Sequence, residues 1–279
     1  MARILIAGCG DLGSHLGVLL AHDGHQIWGL KRDPATLPAE IRPVQADLTD
    51  PASLVDLPAE LDYVFYTAAA GGRDRSRYQA AYVDGVARLL TALSESGQDI
   101  KRIFFSSSTS VYGQHQGEWV DETSPTEPAA FSGQLMCQGE ALFRDGPYPS
   151  TVVRFGGIYG PGRTQLIDSV RRGGATCTSE PMLYTNRIHR DDCANVFRHL
   201  LSLRDPESLY VAIDDHPAPQ CEVLTWLAGQ LGVSPPQPVR AVEPPTNNKR
   251  CSNQRLRATG FRFRYPSYRE GYRTLLSSL

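Results

Sequence analysis

Gly8-Cys9-Gly10-Asp11-Leu12-Gly13 spaces three glycines as G-x-G-x-x-G, directly after the apolar run Arg3–Ala7 and at the mouth of the amphipathic stretch Leu12–His22. That context gives the spacing a chemical meaning. Glycines permit a sharp turn and let backbone approach a pyrophosphate, while the helix that follows offers unpaired N–H groups and the positive end of its dipole. The implied ligand is a dinucleotide, held by Gly8, Gly10, Asp11, Leu12 and Gly13. Asp11 suits the first turn of a helix, but inward it would repel the pyrophosphate, so it is expected to point away. The alternative is a plain strand–helix turn that needs glycine.

The end of the next strand reports on which dinucleotide is bound. A ribose 2′-hydroxyl calls for Asp or Glu there. This chain reads Trp28-Gly29-Leu30-Lys31-Arg32-Asp33, with two cations where the acid would stand. Lys31 and Arg32 suit a 2′-phosphate, so NADP(H) is expected over NAD(H). A solvated Lys-Arg pair, with Asp33 turned inward, keeps NAD open.

Positioning these residues requires strands that end together. Arg3–Ala7, Gln26–Leu30, Pro43–Ala46, Tyr63–Thr67, Arg102–Ser106, Thr151–Phe155 and Leu209–Ile213 are candidate strands. The first six are mostly continuous apolar runs, the mark of a strand covered on both faces. Helical stretches lie between them, including Leu12–His22, Tyr78–Ser96 and Asp191–Leu203. The alternation predicts an α/β fold: a Rossmann-type, doubly wound parallel sheet. After about residue 160 proline and glycine become frequent, and 217–220 and 235–245 read as loops, with helices expected at Gln220–Leu231 and Ser267–Leu279. The expected division is a nucleotide-binding domain of 1–160 plus 187–213 and a small C-terminal substrate lobe of 161–186 plus 214–279.

Composition narrows the classes. The 279 residues carry 30 acidic and 28 basic side chains, a net charge of −2, which argues against a dedicated nucleic-acid binder. No apolar run approaches the roughly 20 residues of a membrane span, and no signal peptide is read, so a cytoplasmic protein without membrane partners is expected. Six scattered cysteines form no C-x-x-C pair, so neither a metal site nor a disulfide framework is expected and all six are read as reduced thiols. His22 and His25 lack further ligands and are not read as a metal pair.

Further segments carry a resemblance. They include Ala46-Asp47-Leu48-Thr49-Asp50, Thr67-Ala68-Ala69-Ala70, Phe105-Ser106-Ser107-Ser108-Thr109-Ser110-Val111-Tyr112-Gly113, and Val153-Arg154-Phe155-Gly156-Gly157-Ile158-Tyr159-Gly160-Pro161-Gly162-Arg163. Ile188-His189-Arg190-Asp191-Asp192-Cys193-Ala194 and Tyr268-Arg269-Glu270-Gly271-Tyr272 complete the set. In order and spacing the chain resembles the extended short-chain dehydrogenases/reductases, the NAD-dependent epimerase/dehydratase group. The resemblance implies that Asp47 and Leu48 lie at the adenine, that Ala68, Ala69 and Ala70 lie beside the nicotinamide ribose, and that Ser108 is the serine of the reaction centre. It also implies a small-molecule substrate and a homodimer formed through two long helices.

That family's reaction centre adds a Tyr-x-x-x-Lys, one face of a helix on which the ammonium lowers the phenol pKa toward neutrality. Here the helix reads Phe131-Ser132-Gly133-Gln134-Leu135-Met136-Cys137-Gln138-Gly139-Glu140. Anchoring on Glu140 puts Ser132 and Met136 in the two places, and a shift by one gives Phe131 and Leu135. No alignment rescues the pair. The 28 basic residues are 25 arginines and three lysines, Lys31, Lys101 and Lys249, none of which follows a tyrosine by four. The family's active-site Asn is absent too, with Tyr82 near its place. Tyr112 is the nearest candidate acid, against a packed turn residue as the plain alternative; Tyr82, Tyr184 and His189 are weaker.

Anion contacts are read at Arg73 and Arg75 in the loop Gly71-Gly72-Arg73-Asp74-Arg75-Ser76-Arg77, and at Arg163. A solvated loop is the alternative for the first group. His189 is grouped with them as a substrate residue, against an ordinary structural histidine. Residues 249–273 carry a net +7 with interleaved aromatics, but the remainder is then −9, so a substrate-facing or solvent-facing lobe is preferred to a nucleic-acid surface. The leading expectation is an NAD(P)-binding epimerase/dehydratase-like oxidoreductase with a degenerate site. It would act on a small or nucleotide-linked anionic substrate. The rival is a catalytically silent NADP(H)-binding sensor or partner-binding protein.

Overall fold

Ile4, Leu5, Ile6 and Ala7 are all fully buried, as a strand covered on both faces requires. They belong to β1 (Arg3–Ala7), an interior strand of a seven-stranded sheet in a computed structural model that describes residues 1–241 and 245–278. Val242, Glu243 and Pro244 of the expected 235–245 loop, and Leu279 of the expected last helix, lie outside the described residues.

β2 (Gln26–Lys31) and β3 (Ile41–Gln45) continue outward on one side of β1, each parallel to its neighbour. The chain then crosses to the other side, where β4 (Tyr63–Tyr66) pairs parallel with β1 and β5 (Arg102–Ser108) with β4. β6 (Glu118–Val120) leaves the sheet, which resumes with β7 (Ser150–Phe155) and ends at Leu209–Ala212. All seven expected strands are present, and the order is that of a Rossmann-type doubly wound sheet. The direction of winding reverses between β1 and β4, and ligands of open α/β sheets bind at the carboxyl ends of the strands at such a point. Ala7 lies level with both Leu30 and Tyr66 there.

Helix α1 (Asp11–His22) follows β1. The helix expected over 78–96 is interrupted. It consists of α2 (Arg75–Gln79), a π-helical turn over Ala80–Asp84, and α3 (Gly85–Glu95). The Tyr66 hydroxyl, buried under the turn, donates to the Ala81 carbonyl, and the i,i+5 pair Gln79–Asp84 closes at 2.9 Å. Helix α4 (Phe131–Arg144) precedes β7.

The chain divides into two compact units: 1–111, 128–154 and 194–210 in the first, and 112–127, 155–193 and 211–279 in the second. The second takes in 112–127 and 187–193, which the sequence pattern left with the first domain. Short strand pairs account for this. β8 (Gly157–Tyr159) pairs with β11 (Arg187–His189), after β9 (Cys177–Glu180) and β10 (Tyr184–Thr185). With the sheet's last strand as β12, β13 (Ala218–Pro219) pairs with β10, β14 (Pro238–Arg240) with β9, and β15 (Lys249–Cys251) with β6. The unit's core gathers Tyr159, Ile167, Val170, Val223, Leu224, Leu227, Tyr268, Tyr272 and Leu275. It is built from α5 (Gln165–Arg171), within the 155–193 segment, and the later helices at Gln220–Leu231 and Tyr268–Leu276.

One expectation is corrected in this unit. Cys177 and Cys221 form a disulfide with Cα atoms 4.9 Å apart, so the six cysteines are not all free. Their 44-residue separation gave no motif; the packing of β9 against the helix at 220–231 brings them together. In the basic tail Arg257, Arg262, Arg264 and Arg273 are exposed to solvent, and several arginines pair within the unit. Arg255 pairs with Glu122, Arg257 with Asp215, and Arg269 with Glu222 at 2.8 Å. Tyr272 stacks on Tyr159, and Tyr265 on His189.

Asp214 is buried in the same unit. Oδ1 accepts from the His216 N–H at 3.1 Å, while Oδ2 has no hydrogen-bond partner among the described residues. Burial holds its carboxyl well above the ordinary range, against the pull of the His216 N–H and Arg187. The folded chain therefore keeps this proton more tightly than the unfolded one. The stabilisation is present below about pH 4 and is lost as pH rises through the folded value. Asp214→Asn is expected to flatten the fall of stability with pH relative to the native chain, measured by urea unfolding from pH 4 to 8. Equal slopes would remove the argument.

Candidate functional site

The glycine loop meets the segment after β4 at backbone distance. A Cβ on Gly8 would stand 2.3 Å from the Ala68 Cα, and Gly8 has φ +79°, a left-handed conformation that disfavours side chains. Thr67 Oγ1 donates to the Gly8 carbonyl at 3.1 Å, and a Cβ on Gly13 would meet that oxygen at 2.7 Å. Gly10 differs: beyond its chain neighbours, a Cβ there would meet only the Gly8 carbonyl, at 3.9 Å. Gly10 is also the N-cap of α1 and brings no side chain to the helix end. The result is a bare backbone cradle at the β1/β4 reversal, capped by a helix N-terminus, which fits a dinucleotide pyrophosphate. Leu12 and Gly13 are buried and Asp11 is exposed.

The loop after β2 holds Lys31, Arg32 and Asp33, the residues expected to distinguish the cofactors. Lys31 Nζ donates to Thr36 Oγ1 at 3.2 Å, and Arg32 is exposed. Asp33 caps the short helix over Pro34–Thr36 by accepting the Ala35 N–H at 3.1 Å. Asp47 accepts from both the Thr49 N–H and hydroxyl at 2.8 Å, which holds its carboxyl below the usual range with Arg32 and Arg88 assisting. Leu48 is buried beside it, and Ala68 lies against Gly8, with Ala69 exposed and Ala70 half-buried after it.

The end of β5 and the face of α4 form the other wall of the first unit. Ser108 is half-buried and its Oγ accepts the Ser110 N–H at 3.1 Å. On α4, Met136 is buried and Ser132 half-buried, so neither a phenol nor an ammonium stands on that helix. One turn beyond Met136, Glu140 forms a buried bidentate pair with Arg154: Nε to Oε1 at 2.9 Å and Nη2 to Oε2 at 2.7 Å. Ser107 Oγ donates to the same Oε1 at 2.5 Å. Sequence reasoning used Glu140 and Arg154 only as alignment markers. An acid inside a helix face otherwise lined with buried residues was the available signal.

Other expected residues occupy less reactive settings. Tyr112 is 2% exposed and its hydroxyl donates to the Asp121 carbonyl at 2.7 Å, which is the setting of a turn anchor. Lys249 does approach Tyr112, but at the backbone: Nζ donates to the Tyr112 carbonyl at 3.2 Å and to Asn247 Oδ1 at 2.5 Å. Burial depresses the pKa of this lysine. His189 is 1% exposed, packed against Tyr159 and Tyr265, with Nδ1 accepting the Asp191 N–H at 3.2 Å; this is a structural histidine and not a surface contact. Arg163 is half-buried in the turn closed by its N–H to the Gly160 carbonyl. In the arginine loop, Arg77 folds back onto the Gly71 carbonyl and Asp74, while Arg73 and Arg75 remain exposed.

Comparison with known proteins agrees with this geometry. Residues 4–204 match the NAD dependent epimerase/dehydratase family. A solved structure from Methylobacillus flagellatus, provisionally described as an NAD-dependent epimerase/dehydratase, is 38% identical with a TM-score of 0.84, covering 99% of this chain and 98% of its own. The 3-diazoavenalumate denitrifying reductase of Streptomyces sp. is 26% identical over 96% of this chain and 98% of that protein. The UDP-glucose 4-epimerase of Thermus thermophilus, solved with NAD, shares the fold at 21% identity and a TM-score of 0.79, over 97% of this chain and 96% of its own.

Two outcomes are expected from the site. Gly8→Ala should weaken dinucleotide binding at least about tenfold in calorimetric titration, because the added methyl collides with Ala68 backbone. Gly24→Ala, at φ +87° with nothing within 4 Å, is the control that should lose stability but keep affinity. Arg154→Met should cost about 3–5 kcal/mol in chemical denaturation by leaving Glu140 charged and buried without its cation. A loss under about 1 kcal/mol would contradict that role.

Proposed function

The chain belongs to the NAD dependent epimerase/dehydratase family, and from that premise we propose that it is an NADP(H)-binding oxidoreductase working without the usual Tyr-x-x-x-Lys device. The observation that carries this reading is the backbone cradle at the β1/β4 reversal, where Gly8 lies against Ala68 and Gly10 faces open space. The cofactor supplies hydride chemistry when bound. The chain's own residues do the rest. Gly8, Gly10 and the start of α1 hold the pyrophosphate, Asp47 and Leu48 flank the adenine end, and Ser108 holds a substrate oxygen. The substrate class we favour is a small or nucleotide-linked anion, met by Arg73, Arg75 and Arg163. The Streptomyces relative is named as a reductase, which supports reductive chemistry.

NADP(H) is preferred because Lys31 and Arg32 stand where an acid would serve NAD, and because the Asp33 carboxylate is spent on capping the Ala35 N–H. The cofactors named with solved relatives are NAD, so this preference is a property of the present loop.

The silent sensor remains the second reading, favoured by one observation: Ser132 and Met136 stand where the phenol and ammonium are needed, and the Tyr112 hydroxyl is bonded into its turn. A substrate screen with cofactor turnover separates the two, since Ser108→Ala should abolish or strongly reduce any turnover found. Titration with both cofactors is expected to show tighter NADP(H) binding. The double change Lys31→Ala, Arg32→Ala should erase about 1.5–3 kcal/mol, roughly ten- to a hundredfold, of that preference. Equal or tighter NAD(H) binding by the native chain would overturn the cofactor assignment.

A further inference from the structure

The ribbon formed by β6 and β15 has two unlike faces. Its register sets Lys249 beside Glu118, Arg250 beside Trp119 and Cys251 beside Val120. Side chains alternate between faces along a strand. Val120, Lys249 and Cys251 are buried, so Trp119 and Arg250 share the other face. Trp119 is 58% exposed and Arg250 half-buried there. Among the described residues, Trp119 is the one aromatic side chain that stands exposed.

Arg250 is fixed from three sides. Its Nε donates to the Gly117 carbonyl at 2.8 Å. Its Cζ lies over the Trp119 ring at 5.1 Å and over the Tyr184 ring at 4.7 Å. Tyr184 and Gly117 are tied to one residue: the Tyr184 N–H donates to Asn248 Oδ1, and the Gly117 N–H to the Asn248 carbonyl, each at 2.8 Å. Gly117 has φ +84°, and a Cβ there would meet the Tyr184 ring at 3.4 Å. Arg255, Arg257 and Arg269 of the same tail each face an acid. Arg250 has no acidic partner among the described residues, and neither of its Nη atoms is hydrogen-bonded. Glu118 alternates to the other face of the ribbon and accepts the Gln116 N–H at 2.7 Å. With rings packed on it and Nε spent, this guanidinium offers its Nη edge. Two N–H groups side by side match the two oxygens of a carboxylate. A carboxylate in the guanidinium plane keeps clear of both rings, whereas a tetrahedral phosphate carries oxygens above and below that plane.

We propose that Trp119, Tyr184 and Arg250 form a binding site of the second unit for a small aromatic carboxylate. The carboxylate takes the Nη edge of Arg250, and the ring lies against the open part of the Trp119 indole. Each contact alone is weak: a half-exposed cation gains little from a simple anion in water, and ring stacking adds a similar small amount. Together they select a ligand that carries both groups. All the contacts lie within the second unit, so the site stands independently of the dinucleotide reading.

Phenylacetate is the probe, added to the full chain and followed by NMR through the indole N–H signals of the three tryptophans. Trp119→Phe identifies the signal of Trp119. Phenylacetate is expected to move that signal saturably and to leave those of Trp28, in the first unit, and Trp226, in the second. Acetate, benzyl alcohol and phenyl phosphate should each bind at least about tenfold more weakly. Arg250→Gln should lose at least about tenfold in affinity, and Arg250→Lys should not restore it, because an ammonium lacks the planar fork. Native Trp28 and Trp226 signals in each variant report that the fold is kept. Should Arg250→Gln not fold, Trp119→Ala, on the exposed face, takes its place, with the same loss expected by calorimetry. No saturable shift overturns the proposal, as does equal binding of acetate or phenyl phosphate, or unchanged affinity in Arg250→Gln. A Trp119 signal that moves with protein concentration and not with phenylacetate marks a contact between copies of the chain, and it also overturns the proposal.

Discussion

A carboxylate held by a guanidinium in the interior, Glu140 with Arg154, seats α4 against the sheet, and the carboxyl edge of the first unit is arranged around that seat. Such a pair costs desolvation, and its value lies more in fixing geometry than in net stability. Arg154 comes from β7, Ser107 from β5 and Glu140 from α4, so one network ties three elements. Ser108 is the next residue after Ser107. Gly139 is the residue before Glu140, and it presses on the carbonyl of Tyr82. Ser108 is thus one residue from a member of this network, and the turn at Tyr82 lies against the residue next to another.

Cofactor holding and proton handling rest on different kinds of matter in this chain. The cradle consists of backbone: Gly8 against Ala68, Thr67 on the Gly8 carbonyl, and an uncapped helix start. Such a site depends on the absence of side chains, and it survives as long as the glycines do. The Tyr-x-x-x-Lys device depends on two particular side chains one turn apart, so two substitutions remove it without disturbing the helix. Met136 shows this directly. With the alignment anchored on Glu140, it is the residue expected in the lysine place, and it is a buried apolar side chain of α4.

What the sequence made legible follows the same division. Most of the sheet strands could be read because burial on both faces leaves continuous apolar runs, as in Val64-Phe65-Tyr66 and Ile103-Phe104-Phe105, whereas β3, with Arg42, Pro43 and Gln45 exposed, is an edge strand that lacks this mark. The glycine loop could be read because its spacing is set by backbone contacts. The π-helical turn could not, since an inserted residue leaves the helical composition of 78–96 unchanged and its cause, the Tyr66 hydroxyl, is distant in sequence. The pairing of β15 with β6 escaped for want of length, three residues on each side, and with it the interior position of Lys249. Cys177 and Cys221 escaped because only tertiary packing sets their distance.

The scarcity of lysine constrains the direction of any chemistry. Lys101 is spent on Asp62 at 2.7 Å, Lys31 lies against Thr36 after β2, and Lys249 gives its protons to neutral oxygens in the second unit. Lys101 interacts by charge with the Tyr63 phenol at the start of β4, and no lysine is among the groups acting on Tyr82. Burial pushes the Tyr82 phenol up. A phenol held above its ordinary value of about 10 is protonated at neutral pH; it can give a proton at the moment charge develops on a neighbouring oxygen, but it is a poor acceptor before that moment. An alcohol oxidation or an epimerisation begun by oxidation needs the acceptor first, whereas a reduction needs the donor. With three lysines, all engaged elsewhere, the phenols Tyr66 and Tyr82 of the first unit are left to hold their protons more tightly than an ordinary tyrosine.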